Sequence, residues 1–253
     1  MAAHFKAQEP PEQTMGDQWM IPRTIRISPC DLARVPLHPN WRFEAQPDGI
    51  FAHLLPRPRF GHALLALNRW RCPGPCKRVD FRSWRESDSG DLVSLFVRAF
   101  SSLEPIAGLG DQERVAAARE ALADAWRGAE GPVSRASVVA VDSSGTALGA
   151  VMVTLLPGGN LDGPGAWRWH EPPPVDLEAI GGGLPHLTWI FVDPDIQHSG
   201  LGAALLARGV ETLRSMGYSQ LASTFLTGNH ASALWHWRMG FELMSWPGSP
   251  RWR

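Results

Sequence analysis

Tyrosine occurs once in this chain, at Tyr218, and lysine only twice, at Lys6 and Lys77. Cysteine is nearly as scarce, with Cys30, Cys72 and Cys76 the full set. Three cysteines do not make the even, spaced set of a disulfide framework. Cys72-Pro-Gly-Pro-Cys76 has loose metal-ligand spacing, but a structural zinc needs four ligands and no second Cys/His pair lies nearby, so no metal is expected. Long apolar runs are missing too. None approaches the ~20 residues that span a bilayer, and the segment Met1–Lys6 lacks the apolar stretch of a secretory leader. A cytoplasmic protein with no membrane partner is the expectation. Net charge is −1, which removes the electrostatic argument for nucleic-acid binding.

What is present is an ordinary globular composition: 253 residues, 44% hydrophobic and 19% charged, enough for one domain with an extension or two small domains. Charge is uneven. Residues 1–78 carry 11 basic and 6 acidic side chains, whereas residues 79–253 carry 13 and 19. Residues 1–22 are polar and aperiodic and read as a mobile lead-in. Trp41 to Leu55 reads as a β-hairpin turning at Gln46-Pro47-Asp48-Gly49. His62 to Trp70 is a further strand or a short helix, and Pro73-Gly74-Pro75 places a boundary near residue 78.

From Val79 the pattern predicts a strand (Val79–Trp84), two helices (from Ser87/Asp88 to Phe100, and Asp111–Arg127) and an antiparallel pair (Ser137–Val141 and Ala147–Leu156). Residues 157–185, rich in Gly and Pro, form a long irregular loop that reads either as a substrate lid or as a surface insertion. A strand apolar on both faces follows (Leu187–Val192), then a helix (Leu201–Met216), a strand (Tyr218–Leu226), a helix from Asn229 to Met239 and a last strand (Phe241–Trp246).

Between strand and helix lies Gln197-His198-Ser199-Gly200-Leu201-Gly202. A glycine turn opening a helix presents successive backbone N–H groups and the positive end of the helix dipole, which together make an anion site. Glycines at 200 and 202 let the backbone approach a phosphate with no Cβ in the way.

With Asn229 and Gly240-Phe241 downstream, the chain resembles the GCN5-related N-acetyltransferase (GNAT) superfamily. Gln197, Gly200 and Gly202 match its Arg/Gln-x-x-Gly-x-Gly/Ala signature, and the resemblance covers about residues 79–246. It implies an α/β (α+β) fold with a mixed, mostly antiparallel central sheet flanked by helices, here carrying an N-terminal β-rich extension over 1–78. It also implies an acetyl-CoA-dependent acyltransferase that moves an acetyl group to an amine by direct attack on the thioester. Acetyl-CoA is then the co-substrate. Its pyrophosphate falls to Gln197, His198, Ser199, Gly200, Leu201, Gly202 and Ala203, and its pantetheine arm to Ile190, Phe191, Val192 and Asn229. Asn229 reads equally as a plain helix N-cap.

The family's usual tyrosine acid, four residues before Gly-Phe, is replaced by His236, whose other reading is simple packing between Trp235 and Trp237. For the general base, His186, Thr188, Asp193 and a water chain all stay open. Trp167, Trp169, Trp189, Trp235 and Trp237 read either as an acceptor-side cluster or as ordinary core. The family's final strand is missing, because Pro247 and Pro250 oppose it, so the 41–55 hairpin or a second subunit is expected to cover a sheet edge. A homodimer therefore stays open, as does the acceptor amine. The alternative function is a non-catalytic acyl-CoA-binding or regulatory module, and a protein that binds no CoA is a third reading.

Overall fold

The computed structural model describes residues 23–27, 41–47, 49–54, 60–73, 79–103, 106–129, 131–158, 169, 171–226 and 229–244. The expected N-terminal lead-in, Cys30, Cys76, Trp167, Pro247 and Pro250 lie outside the described residues. The chain divides into two compact units, 1–59 and 60–253.

The first unit is a three-stranded antiparallel sheet of β1 (Arg23–Ile27), β2 (Trp41–Gln46) and β3 (Gly49–Leu54), in the order β1-β3-β2. Gln46 pairs with Gly49, so the two strands pair right up to the turn predicted from the sequence. The strand β1 is an addition, and its alternating Arg23-Thr24-Ile25-Arg26-Ile27 is the signal that marks it.

The second unit is built on a seven-stranded mixed sheet in the order β10-β4-β9-β8-β7-β6-β5. The strands are β4 (Phe60–Ala66), β5 (Asp80–Ser83), β6 (Val138–Val141), β7 (Ala147–Leu156), β8 (Leu184–Val192), β9 (Gln220–Leu226) and β10 (Glu242–Met244). Its one parallel pair is β8 with β9. Among the described residues four α-helices flank it: α1 (Ser89–Phe100), α2 (Asp111–Trp126), α3 (Leu201–Ser215) and α4 (His230–Arg238). This is the mixed, mostly antiparallel architecture expected from the sequence.

Strand alternation sorts the core. Val151, Val153 and Leu155 of β7 and Leu187 of β8 pack with Leu201, Leu205, Val210 and Leu213 of α3. The alternate residues, including Met152 and Phe191, face α1, where Phe96 meets Trp189 and Phe191 edge-on at 4.9 and 5.4 Å. Because β7 is covered on both faces, nearly every residue along it is buried. Ahead of α1, Asp88 accepts the Arg85 N–H (2.8 Å) and pairs with Arg82 at 2.7 Å.

Where the sequence reading expected an edge in need of cover, the sheet takes in a strand from ahead of residue 78. β4 lies between β9 and β10 and pairs antiparallel with both, from Phe60↔Leu226 to Ala66↔Gln220 on one side and His62↔Met244 to Leu64↔Glu242 on the other. The sheet therefore starts at Phe60, on the N-terminal side of the boundary read near residue 78, and His62–Trp70 is strand followed by one helical turn. The chain leaving β4 is tied down by backbone and side chain alike. Leu67 N–H bonds Ser219 O at 2.8 Å, Arg214 donates to the carbonyls of Leu67 and Trp70, and Trp70 Nε1–H reaches Met239 O at 2.6 Å.

Within the long loop, residues 171–183 are anchored rather than lid-like. Leu177 is buried, Glu178 binds Ser134 and Arg135, and Tyr218 donates its hydroxyl to Gly182 O at 2.8 Å.

A chain shortened to begin at residue 79 loses β4 and bares the long edge of β9. It should aggregate on expression, whereas a chain beginning at residue 55 keeps β4 and should stay soluble. Sedimentation of the two products compares them, and a soluble, cooperatively unfolding 79–253 fragment would contradict the role given to β4.

Candidate functional site

The site is a fork. β8 and β9 pair through only His186↔Ala222 and Leu187↔Ser223, although β8 continues to Val192 and β9 to Leu226. Beyond that point no strand among the described residues pairs with the β8 edge facing β9. Opposite the fork, β7 pairs Met152 with Trp189 and Val153 with Leu187, so Thr188 is an extra, bulged residue at the branch.

Strand parity tells which amides face the gap. Asp193 donates its N–H to Leu148 O on the β7 side at 2.9 Å. Phe191, two residues back, therefore also turns its backbone toward β7, while Ile190 and Val192 turn theirs into the gap. Of the three residues predicted to hold a pantetheine arm, Ile190 and Val192 have the right orientation. Phe191 faces the other way, with its ring against Phe96 and Trp84.

At the end of the β8 edge lies the glycine turn. Pro194–Ile196 makes one helical turn, Gln197, His198 and Ser199 are exposed, and His198 and Gly200 both have positive φ, 63° and 84°. Gly200 is the N-cap of α3 and has no side chain to satisfy the helix-start amides. The first bond of the turn closes at Ala204 N–H to Gly200 O, 3.0 Å, so the amides of Leu201, Gly202 and Ala203 precede the ladder. Leu201 buries its side chain in the core and contributes only backbone here. A Cβ on Gly202 would lie 3.4 Å from Trp235 Nε1, ordinary contact distance, so α4 leaves room for a methyl group there and little more.

Asn229 caps α4, its Oδ1 accepting the Ser232 N–H at 2.9 Å. The N-cap reading therefore holds, and the amide NH2 group keeps two donors beyond the cap. Asp193 is engaged structurally: its carboxylate pairs with Arg98 of α1 and accepts the Asp195 N–H at 3.1 Å.

Two hydrogen-bonded chains reach the fork, one on each face of the sheet. On the α3 face, His236 of α4 is buried at 3% exposure among Phe225, Trp235 and Phe241. A carbonyl only accepts, so the 2.8 Å contact between Nδ1 and Ser232 O puts the imidazole proton on Nδ1. Nε2 then carries the lone pair and accepts the Ser223 hydroxyl at 2.8 Å. Burial lowers the His236 pKa, and the bond to Ser232 opposes that in part.

On the α1 face, Thr154, Thr188, His186 and Thr224 form a row. Thr154 and Thr188 hydroxyls lie 2.8 Å apart, His186 Nδ1 is 3.1 Å from Thr188 Oγ1, and His186 Nε2 is 3.2 Å from Thr224 Oγ1. His186 is 4% exposed, and burial, reinforced by His62 and His236, pushes its pKa down to about 3. Sequence reasoning missed Ser223, Thr224, Thr154 and His62. The adjacent Ser223-Thr224 in the middle of an otherwise apolar strand is the signal that marks the first two.

The tryptophans do not gather at the fork. Trp189 packs on Phe96, Trp169 Nε1–H bonds Leu155 O, Trp235 lies by Gly202, and Trp237 is 65% exposed. An open groove of about 620 Å³ runs between Trp70, Phe81, Arg208 and Arg214, and none of the fork residues lines it.

The family model described as acetyltransferase (GNAT) family matches residues 94–241. No curated protein matches the chain. Among solved structures, a conserved protein of unknown function from Staphylococcus epidermidis is similar at 10% identity, covering 73% of this chain and 57% of that one, with a TM-score of 0.46. A GNAT family acetyltransferase from Brucella melitensis in complex with acetyl-CoA is similar at 19% identity, covering 67% and 89%, with a TM-score of 0.42. The enzyme AAC(6')-Iy in complex with a CoA bisubstrate analogue is similar at 20% identity, covering 70% and 99%, with a TM-score of 0.43.

Both buried histidines bear on acid stability. In the unfolded chain each takes up a proton as pH falls through about 6.5, whereas native His186 stays neutral down to about 3. The unfolded state then binds more protons across that window, so stability falls as pH falls. Calorimetry from about pH 7 to about pH 4 should show a steadily dropping unfolding midpoint, and His186→Gln should flatten that slope. An unchanged slope would place the protonation elsewhere.

Proposed function

This chain belongs to the acetyltransferase (GNAT) family, and from that premise we propose that it transfers an acetyl group from acetyl-CoA to an amine by direct attack on the thioester. The observation that carries this reading is the free β8 edge, running from the bulge at Thr188 to the uncapped amides at the start of α3. The amides of His198 to Ala203, beside Gln197, hold the pyrophosphate by backbone N–H and helix dipole, which explains why lysine is dispensable. The outward-facing amides of Ile190 and Val192 add the pantetheine arm as though it were another strand, with the Asn229 NH2 group a further donor.

The thioester then lies at the fork, and backbone N–H groups beside the Thr188 bulge stabilise the oxyanion. His236 supplies the proton that the leaving thiolate needs, acting through Ser223. Protonated Nε2 gives its proton to Ser223 Oγ as the Ser223 hydroxyl proton passes to sulfur, leaving a neutral imidazole and a free thiol. Neutral His236 accepts from Ser223 instead, so this donor works only in the minor, protonated state that burial disfavours. That same observation favours the second reading, a non-catalytic acyl-CoA-binding module.

Thiol release from acetyl-CoA across a panel of amines separates the two. Turnover is expected on at least one amine class, while CoA stabilisation without turnover would favour the module. His236→Phe and Ser223→Ala should each lower kcat by about 10²-fold with little change in KM for acetyl-CoA. Gly202→Val, which drives a side chain toward Trp235 and the phosphate amides, should abolish the rise in Tm caused by millimolar CoA. A Gly202→Val protein stabilised by CoA as fully as the parent would remove the pyrophosphate from this turn.

A further inference from the structure

One part of the polar row on the α1 face comes from outside the 94–241 family match. In the antiparallel register of β4 and β9, His62 stands directly opposite Thr224, and Ala63 opposite Ser223. Ala63 and Leu65 are buried in the α3-side core, which places His62 on the other face with Thr224 and His186. Directly opposed residues have Cβ atoms roughly 4.5–5.5 Å apart, so the His62 and Thr224 side chains are neighbours. His62 is also close enough to His186 to depress its pKa. The row therefore crosses four strands, from Thr154 on β7 through Thr188 and His186 on β8 and Thr224 on β9 to His62 on β4.

Its burial is graded. Thr154 and His186 are buried at 0% and 4% exposure, while Thr188, Thr224 and His62 are partly exposed. A buried imidazole is costly to desolvate, and valine or leucine would fill the same space in a sheet without that cost. The row also passes through Thr188, the bulged residue at the branch, where the proposed acyl transfer takes place.

We propose that His62 is the outer end of a proton path, Thr188–His186–Thr224–His62, that removes the proton of the acceptor ammonium from the fork. This rests on the acetyl-transfer reading above. Thr188 Oγ1 receives the ammonium proton, and the electron pair of the broken N–H bond stays on nitrogen to attack the thioester. The Thr188 hydroxyl proton passes to His186 Nδ1 while the Nε2 proton passes to Thr224 Oγ1, whose own proton moves to the His62 ring. One proton enters and one leaves, and His186 ends neutral with its proton on the opposite nitrogen. Its depressed pKa makes a resting imidazolium inaccessible, so the two transfers through that ring are coupled. His62, being partly exposed, hands the proton to water.

The test uses the full chain, with His62→Gln and Thr224→Val compared against the parent at pH 7 by initial rates of CoA thiol release. Two acceptor classes are used: alkylamines, which are charged at this pH, and weakly basic aryl- and alkoxyamines, which are already neutral. Both variants should lose about 10- to 100-fold in kcat on alkylamines and change little on the neutral amines. The ratio of the two rates within one variant does not depend on how much of the protein is folded. Equal loss on both classes, or no loss on either, overturns the path while leaving acetyl transfer standing. A parent protein that acetylates no amine of either class overturns the acetyl-transfer reading, and the path with it.

Discussion

The parallel contact between β8 and β9 stops after two residue pairs, and the rest of the site depends on that interruption. Backbone N–H and C=O groups inside a sheet normally satisfy one another, so a central strand with a free edge is an unfinished hydrogen-bond ladder. Here the ladder is finished on the β7 side and open on the β9 side from Thr188 onward. A group carrying amides can complete it, and in the function proposed above that group is the pantetheine arm. The bulge at Thr188, the outward amides of Ile190 and Val192, and the uncapped start of α3 all lie along the same open edge.

A fork in the middle of a sheet threatens stability, because only Ala222 and Ser223 of the seven residues of β9 pair with β8. β4 offsets this by pairing along the whole of β9 on its other side and by carrying β10 in turn. Leu67, Trp70 and Arg214 then lock the exit of β4 to the C-terminal end of α3 and to Met239. A strand from the N-terminal side of the chain thus holds one arm of the fork in place, and its His62 joins the polar row beside the branch.

The two faces of the fork differ in chemistry. Ser223 and His236 meet among aromatic rings on the α3 face, and His186 sits among threonine hydroxyls on the α1 face. Adjacent residues of β9, Ser223 and Thr224, serve opposite faces because successive side chains of a strand alternate. A leaving thiolate and an attacking amine pose two separate proton problems, and the mechanism proposed above assigns one hydrogen-bonded chain to each.

Much of this was legible in the chain itself. Hydrophobic period, capping residues and glycines marked the helices and strands from Asp80 to Met244 to within a few residues, because those signals are local. Gln197–Gly202 marked the turn between strand and helix, since glycine adopts the positive φ that such a turn needs wherever it stands. Long-range pairing was not legible. Phe60–Ala66 has no local mark of its partners, and only the folded sheet places it between β9 and β10, beyond the boundary that Pro73-Gly74-Pro75 suggested. Which amides of Ile190, Phe191 and Val192 face the gap depends on register against β7, and the proton position on His236 depends on a carbonyl one helical turn away. Sequence by itself determined the elements and the glycine turn, because these rest on neighbours along the chain. Tertiary structure alone decided the fork, the strand that completes the sheet and the partners of each histidine, because these rest on neighbours across it.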